Sequence, residues 1–151
     1  MKLAEALMER KAIKTKMEGL KKRIYQNSMV QEEENPIEDP LRMLDELRIE
    51  TEKFEELIAR INRTNNATLL LDGMTLMEAI LKKDMLNYLH LVHVNLADKA
   101  TPINDRFSHR EIKFVPTVDI SEIRQKADKI AQEYRRLDAK IQAANWKTDL
   151  I

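Results

Sequence analysis

The last quarter of the chain carries an unbroken apolar stripe, which constrains the fold more than any other feature. Spacing of this kind keeps one face of an α-helix apolar over roughly 38 Å, as in a coiled coil. Such a helix has to pack against another long helix, because its apolar face would otherwise lie in water. The stripe predicts an architecture of paired helices. Its residues, in steps of three and four, are Ile120, Ile123, Ala127, Ile130, Tyr134, Leu137, Ile141 and Ala144.

Three more helices are predicted upstream. Helix one covers residues 2–27, with Arg10 interrupting its apolar stripe. Helix two begins at Pro40, because Asp39 is a good N-cap and proline suits the first helical position. Helix three covers residues 76–97, and its second half is apolar on more than one face, which predicts burial from two directions, one of them by a neighbouring subunit. The residues responsible are Tyr88, Leu89, Leu91, Val92, Val94 and Leu96.

A short segment with a period of two precedes the last helix. Ile112, Phe114 and Val118 alternate around Pro116, which is typical of an extended arm or edge strand. Such a strand needs a partner, either residues 69–71 or the same arm of another chain. The last helix is expected to end near Asn145, with Trp146 after it as a cover on the core.

Composition agrees with this outline. The 151 residues are 43% hydrophobic and 34% charged with only two glycines, a mixture typical of long amphipathic helices. We therefore predict a mainly α fold of four long amphipathic helices in antiparallel coiled-coil-like hairpins, with one short extended arm or edge strand before the last helix. We expect residues 1–151 to form a single helical domain.

Charges are sorted along the chain. The first helix is basic and the second is acidic, so an antiparallel hairpin brings residues 21–23 beside Asp45 and Glu46. Because the net charge is zero, we expect these charges to set helix pairing rather than to bind nucleic acid. No cysteine, export signal or membrane-spanning run is present, which predicts a cytoplasmic protein without a membrane partner.

Two groups of residues are candidate sites. His90, His93 and His109 could meet at a zinc ion, but the glutamate base of the familiar metalloprotease helix is missing, and buried or interface histidines are the preferred interpretation. With Gly19 and Gly73 as the only glycines, no phosphate-binding loop can be built, and we predict no cofactor. A polar cluster is interpreted as a register device, with a ligand site as the alternative. It comprises Asn62, Arg63, Thr64, Asn65, Asn66 and Thr68.

Three segments carry a resemblance to a known family. They are RINRTNNATLLLDGMTLMEAILKKD at residues 60–84, FSHREIKFVPTVDI at residues 107–120 and IQAANWKTDL at residues 141–150. They resemble a family of small uncharacterised bacterial proteins, some of them labelled septicolysin. The resemblance implies long helical hairpins that form homo-oligomers, which are dimers of hairpins or larger assemblies such as hexamers. The label suggests a secreted cytolysin, which the lack of an export signal and of a bilayer-crossing segment argues against.

These observations predict a cytoplasmic self-assembling helical protein that acts as a structural or interaction module. The alternative is an enzyme or a metal or small-ligand binder, with a site built at subunit contacts from the polar cluster and the three histidines. A second alternative is membrane lysis, as the septicolysin label suggests. Whether the protein is an enzyme is left open by the sequence.

Overall fold

The computed structural model describes residues 1–103 and 112–151. Within them, β-structure is limited to two isolated antiparallel bridges, Lys2 with Asp149 and Leu69 with Thr75. The predicted mainly α fold of four helices is confirmed. The helices are α1 (Leu3–Gln26), α2 (Pro40–Ala67), α3 (Leu76–Ala100) and α4 (Ile120–Lys147).

The chain divides into two compact units. The first contains Met1–Leu76 together with Ala143–Ile151, and the second contains Met77–Gln142. Each unit has one pair of helices at its centre, α1 with α2 in the first and α3 with α4 in the second. The single domain over residues 1–151 stays a prediction.

Local capping chemistry sets two of the helix starts. The Asp39 carboxylate accepts a hydrogen bond from the amide of Leu41 at 3.0 Å, with Pro40 at the first helical position. The Asp119 carboxylate accepts one from the amide of Glu122 at 3.0 Å. The start at Asp39 and Pro40 agrees with the sequence signal, because an N-cap is a local feature that needs no distant partner.

Two helix ends lie beyond their predicted positions. Helix α3 continues to Ala100 and α4 continues to Lys147. Trp146 is therefore part of the last turn of α4 and is 57% exposed, so the prediction that it covers a core is wrong. The apolar periodicity fades before both ends, and periodicity was the signal used to place them.

In the first unit, α1 and α2 form an antiparallel hairpin. Glu38, just before α2, is tied to the end of α1 because its amide donates to the Asn27 side chain at 3.1 Å. The apolar stripes of both helices supply the buried residues of this hairpin. These residues are Leu3, Ala4, Ala6, Leu20 and Ile24 in α1, and Met43, Leu57 and Ile61 in α2.

Ion pairs between basic α1 and acidic α2 follow the same register. Arg23 pairs with Glu38, and Lys16 pairs with Glu46 at 3.1 Å. The predicted neighbour of Glu46 was the segment 21–23, so the structure shifts this contact by about two turns of α1. The shift follows from the way residues 27–39 fold back, because Glu38 contacts Arg23 and Asn27 and so places the start of α2 beside the end of α1.

Glu50 is the one acidic residue in this hairpin that the structure describes as buried. Its Oε1 lies 3.1 Å from Lys16 Nζ and 2.9 Å from Lys53 Nζ. The hydrogen bonds from Lys53 and Lys16 hold the pKa of the Glu50 carboxyl below its usual value, against the opposing effect of desolvation. A carboxylate that accepts two charged donors can remain ionised inside a helix seam.

In the second unit, α3 and α4 run antiparallel. Ion pairs link them along their length, among them Lys83–Asp138 at 3.1 Å, Lys82–Glu133 at 3.3 Å and Arg124–Asp98 at 3.2 Å. Between them lie buried apolar side chains from both helices. These are Ala79, Leu86 and Ala97 in α3, and Ala127, Leu137 and Ile141 in α4.

The stripe that predicted paired helices is the packed side of α4. All eight of its residues are buried or half-buried, from Ile120 to Ala144. Coiled-coil packing in the strict sense stays a prediction. The amphipathic pattern alone accounts for the burial.

The predicted arm is described from residue 112 onward. Residues 112–119 contain neither helix nor strand, and Ile112 and Phe114 are each 81% exposed. Among the described residues the arm has no bridge to residues 69–71, because Leu69 pairs with Thr75 across its own turn. Pairing with the same arm of another chain stays a prediction.

Candidate functional site

Helix α3 has an inner face that packs against α4. Ala79 and Ala97 are fully buried there and Leu86 is 8% exposed. Lys83 borders this face: its ammonium group lies 3.1 Å from Asp138 and 5.9 Å from the centre of the Tyr134 ring. The hydrogen bond from Lys83 holds the pKa of the Asp138 carboxyl below its usual value. The inner face of α3 therefore packs against α4.

On roughly the opposite side of α3 lies a second apolar row, which we name the outer stripe. Its members recur in steps of four, four, three, four and four residues, a spacing that keeps them on one side of a helix. Each is exposed by between 41% and 63%. The outer stripe comprises Met77, Leu81, Met85, Tyr88, Val92 and Leu96.

The outer stripe is unusual among the helices of this chain. Leu89 and Leu91, exposed by 46% and 50%, widen it in the middle, and it runs for about 29 Å along the helix. By contrast, residues 120–142 of α4, all of which the structure describes, expose no large apolar side chain. A long, narrow apolar surface of this shape fits the apolar face of another helix, whereas small ligands bind in concave pockets.

The second half of this stripe was visible in the sequence, and the first half was missed. Tyr88, Val92 and Leu96 were among the residues that predicted burial from two directions. Met77, Leu81 and Met85 extend the same row back to the start of α3. The signal that could have found them is the spacing itself, which continues without a break through residues 77–96.

Two members of the predicted polar cluster make structural hydrogen bonds. The Thr64 hydroxyl donates to the carbonyl of Arg60 at 2.9 Å and accepts from the amide of Ile151 at 3.1 Å. The Thr68 hydroxyl donates to the carbonyl of Thr64 at 2.8 Å. Thr64 is buried, and the bond from the Ile151 amide joins the end of α2 to the segment 148–151.

The rest of the cluster is not gathered into a site. Asn62, Arg63 and Asn66 are exposed, and Asn65 is half-buried. They follow one another around α2, which points their side chains in different directions. Ligand binding by this cluster stays a prediction.

The histidines lie on α3. His90 and His93 are both half-buried, and His93 Nδ1 lies 2.7 Å from the carbonyl oxygen of Leu89. Because a carbonyl only accepts, that nitrogen carries the proton, and the imidazole is engaged within its own helix. His109 lies outside the described residues. In residues 1–103 and 112–151, no three side chains of His, Asp, Glu or Cys are grouped as a metal would require.

No helix in residues 1–103 and 112–151 combines the length and the apolar character needed to cross a bilayer.

Comparison with known proteins establishes the family. Residues 10–150 match a family described as a family of unknown function, DUF6847. This chain belongs to that family. The prediction of an uncharacterised family is confirmed, whereas the septicolysin label is supported by none of the matches.

A solved structure shows the same fold. It is the crystal structure of a functionally unknown conserved protein from Corynebacterium diphtheriae, with 42% sequence identity and a TM-score of 0.94. The similarity covers 100% of this chain and 99% of that one. No curated protein matches this DUF6847 chain.

Proposed function

We propose that this DUF6847 protein is a self-assembling helical protein of the cytoplasm that acts as a structural or interaction module. The observation that carries the proposal is the outer stripe of α3, which exposes a continuous apolar row. Monomeric soluble proteins rarely expose contiguous apolar patches of more than a few hundred Å², and larger ones mark interaction sites. The cytoplasmic part rests on the absence of cysteine, which suits a reducing compartment.

Burial of the outer stripe supplies the driving force for assembly. Fully burying a side chain such as Leu or Met contributes about 1.5–3 kcal/mol, and the members of the stripe are about half exposed. Covering each of them contributes on the order of 1 kcal/mol, before the entropy of association is subtracted. Tyr88 is the most exposed member at 63%, and tyrosine is a frequent hot-spot residue at interfaces.

Light scattering of the purified chain at several concentrations tests the proposal. We expect a mass above that of the 17.7 kDa chain, which falls toward it on dilution. Leu81→Glu places a charge in the outer stripe and should weaken association by roughly 30-fold or more, because a hot-spot loss is about 2 kcal/mol or greater.

Met8→Glu is the matched control. Met8 and Leu81 are both 57% exposed, but Met8 lies on α1 outside the outer stripe. We expect the control to assemble as the unchanged chain does, with the same helical circular dichroism. A strict monomer at every concentration, or equal losses in both variants, would refute the proposal.

The alternative of an enzyme, or a metal or small-ligand binder, with its site at subunit contacts stays a prediction. Metal analysis of the purified protein, combined with melting in the presence of a chelator, separates the two functions. Stoichiometric zinc whose removal lowers the melting temperature would favour the binder. The membrane-lytic alternative likewise remains only a prediction from the septicolysin label.

A further inference from the structure

The spacing of the outer stripe is the same in both directions along α3. Steps of four, four, three, four and four residues are symmetric about the point midway between Met85 and Tyr88. Two copies of such a row can pair antiparallel with every member opposite another member. A row with an asymmetric spacing loses this match away from its centre.

The charge at the end of α3 favours the same orientation. Lys99 lies in the last turn and is exposed. An antiparallel pair keeps the two Lys99 side chains about 37 Å apart along the axis and opposes the two helix dipoles. A parallel pair places Lys99 beside the partner's Lys99 and aligns the two helix dipoles, and both arrangements are unfavourable.

We infer that α3 of one copy packs antiparallel against α3 of a second copy, with the two-fold axis between Met85 and Tyr88. This inference rests on the self-assembly proposed above and names the partner surface. Met85 then lies opposite the partner's Tyr88, Leu81 opposite the partner's Val92, and Met77 opposite the partner's Leu96. The central contact sets a thioether against an aromatic ring, a favourable pairing. The interface is isologous, so it closes a dimer and can recur within larger symmetric assemblies.

Single cysteines and a short bis-maleimide cross-linker test the orientation, because the chain has no cysteine of its own. Met77→Cys and Leu96→Cys, mixed in equal amounts, should give covalent dimers on a denaturing gel. Each variant alone should give about tenfold less, since a residue at position 77 lies about 29 Å along the axis from its own copy. Met85→Cys alone should cross-link well, because its two copies are offset by only about 4.5 Å.

Other outcomes would contradict either the antiparallel orientation or self-assembly itself. Strong cross-linking of Met77→Cys alone and of Leu96→Cys alone would show a parallel pair and refute the inference. Absence of every cross-link in a protein that light scattering shows to be assembled would also refute the inference, while self-assembly itself would stand. A monomeric protein would refute the proposed function as well. Circular dichroism of each variant shows that the helices are intact, so a negative result cannot be assigned to unfolding.

Discussion

The two helix pairs of this DUF6847 protein are joined in different ways. Between α1 and α2, a buried carboxylate, Glu50, accepts hydrogen bonds from Lys16 of the opposite helix and from Lys53 of its own. Between α3 and α4, apolar residues and alanines fill the seam, and ion pairs lie along its edges. In addition, α3 carries a second apolar face, which has no equivalent on α4.

The two helix pairs therefore differ in what their side chains do. In the first pair, charge fixes which residues lie side by side, because a slip of one turn would remove Lys16 from the buried Glu50 carboxylate and leave it only Lys53 of its own helix. In the second pair, apolar burial holds the helices together on one side of α3 and leaves the other side available for a partner. In the first helix pair, charged residues thus set the alignment of the two helices. In the second, one helix also offers a surface to a partner.

The largest loss of stability is expected for a substitution on the inner face of α3. Leu86→Ala should lower the free energy of unfolding by about 3 kcal/mol, because it opens a cavity in the seam with α4. Leu81→Ala, the same change in the outer stripe, should lower it by less than about 0.5 kcal/mol in dilute, dissociated protein. Urea denaturation followed by circular dichroism measures both.

The two leucine variants also test whether the inner and outer faces of α3 differ. Equal losses at Leu86 and Leu81 in dilute protein would mean that both faces of α3 are packed within one chain. A loss at Leu81→Ala that grows with protein concentration would instead locate that residue in the contact between copies.

An intermediate loss of stability is expected when the buried carboxylate of the first helix pair is changed. Glu50→Gln should lower the free energy of unfolding near neutral pH by about 1.5 kcal/mol, because the two lysine ammonium groups would then donate to a neutral oxygen instead of a carboxylate. The pKa of Glu50 is lowered in the folded protein, so its contribution is present above the unfolded value of 4.5 and is lost as pH falls below it. The difference between the variant and the unchanged chain should therefore shrink as pH decreases from 4.5.

Glu52→Gln is the control for this prediction. Glu52 pairs with Arg48 at 3.1 Å on the exposed side of α2, with 63% of its side chain accessible. Exposed pairs of this kind contribute roughly 0.5 kcal/mol or less. If both glutamine variants lose the same stability with the same pH dependence, Glu50 has no special role in the register of the hairpin.

The smallest change in stability is expected at the glycine inside α1. Gly19 lies inside α1, and a Cβ atom built on it has no neighbour within 4 Å, so Gly19→Ala should raise the free energy of unfolding by about 0.8 kcal/mol. Gly73→Ala is the matched control and should destabilise, because Gly73 has a φ of +79° in the turn before α3. Thermal melting of both variants measures the contrast, and a destabilised Gly19→Ala would show that this side of α1 is covered.

Much of the fold could be predicted from the sequence because its signals are local. The Asp39–Pro40 start and the stripe of α4 each depend on residues close together in the chain. The pairing register of Lys16 and Arg23 was not predictable in the same way. It depends on the contact between Glu38 and Asn27, which forms only when the connection between the helices folds back.

The candidate site was predictable in part. The apolar character of residues 88–96 indicated two buried faces, but only the structure shows which side α4 occupies and which side is left exposed. Thr64 belonged to a polar cluster in the sequence, and its bond to the amide of Ile151 joins residues 87 positions apart. Contacts at such separations have no local signature.

The two faces of α3 bear on how the protein can change over generations. Substitutions on the exposed side leave the inner seam intact, so they alter affinity between molecules while the chain still folds. Related proteins could thus acquire, lose or exchange binding partners through a few codons on one helix, with the scaffold beneath them unchanged.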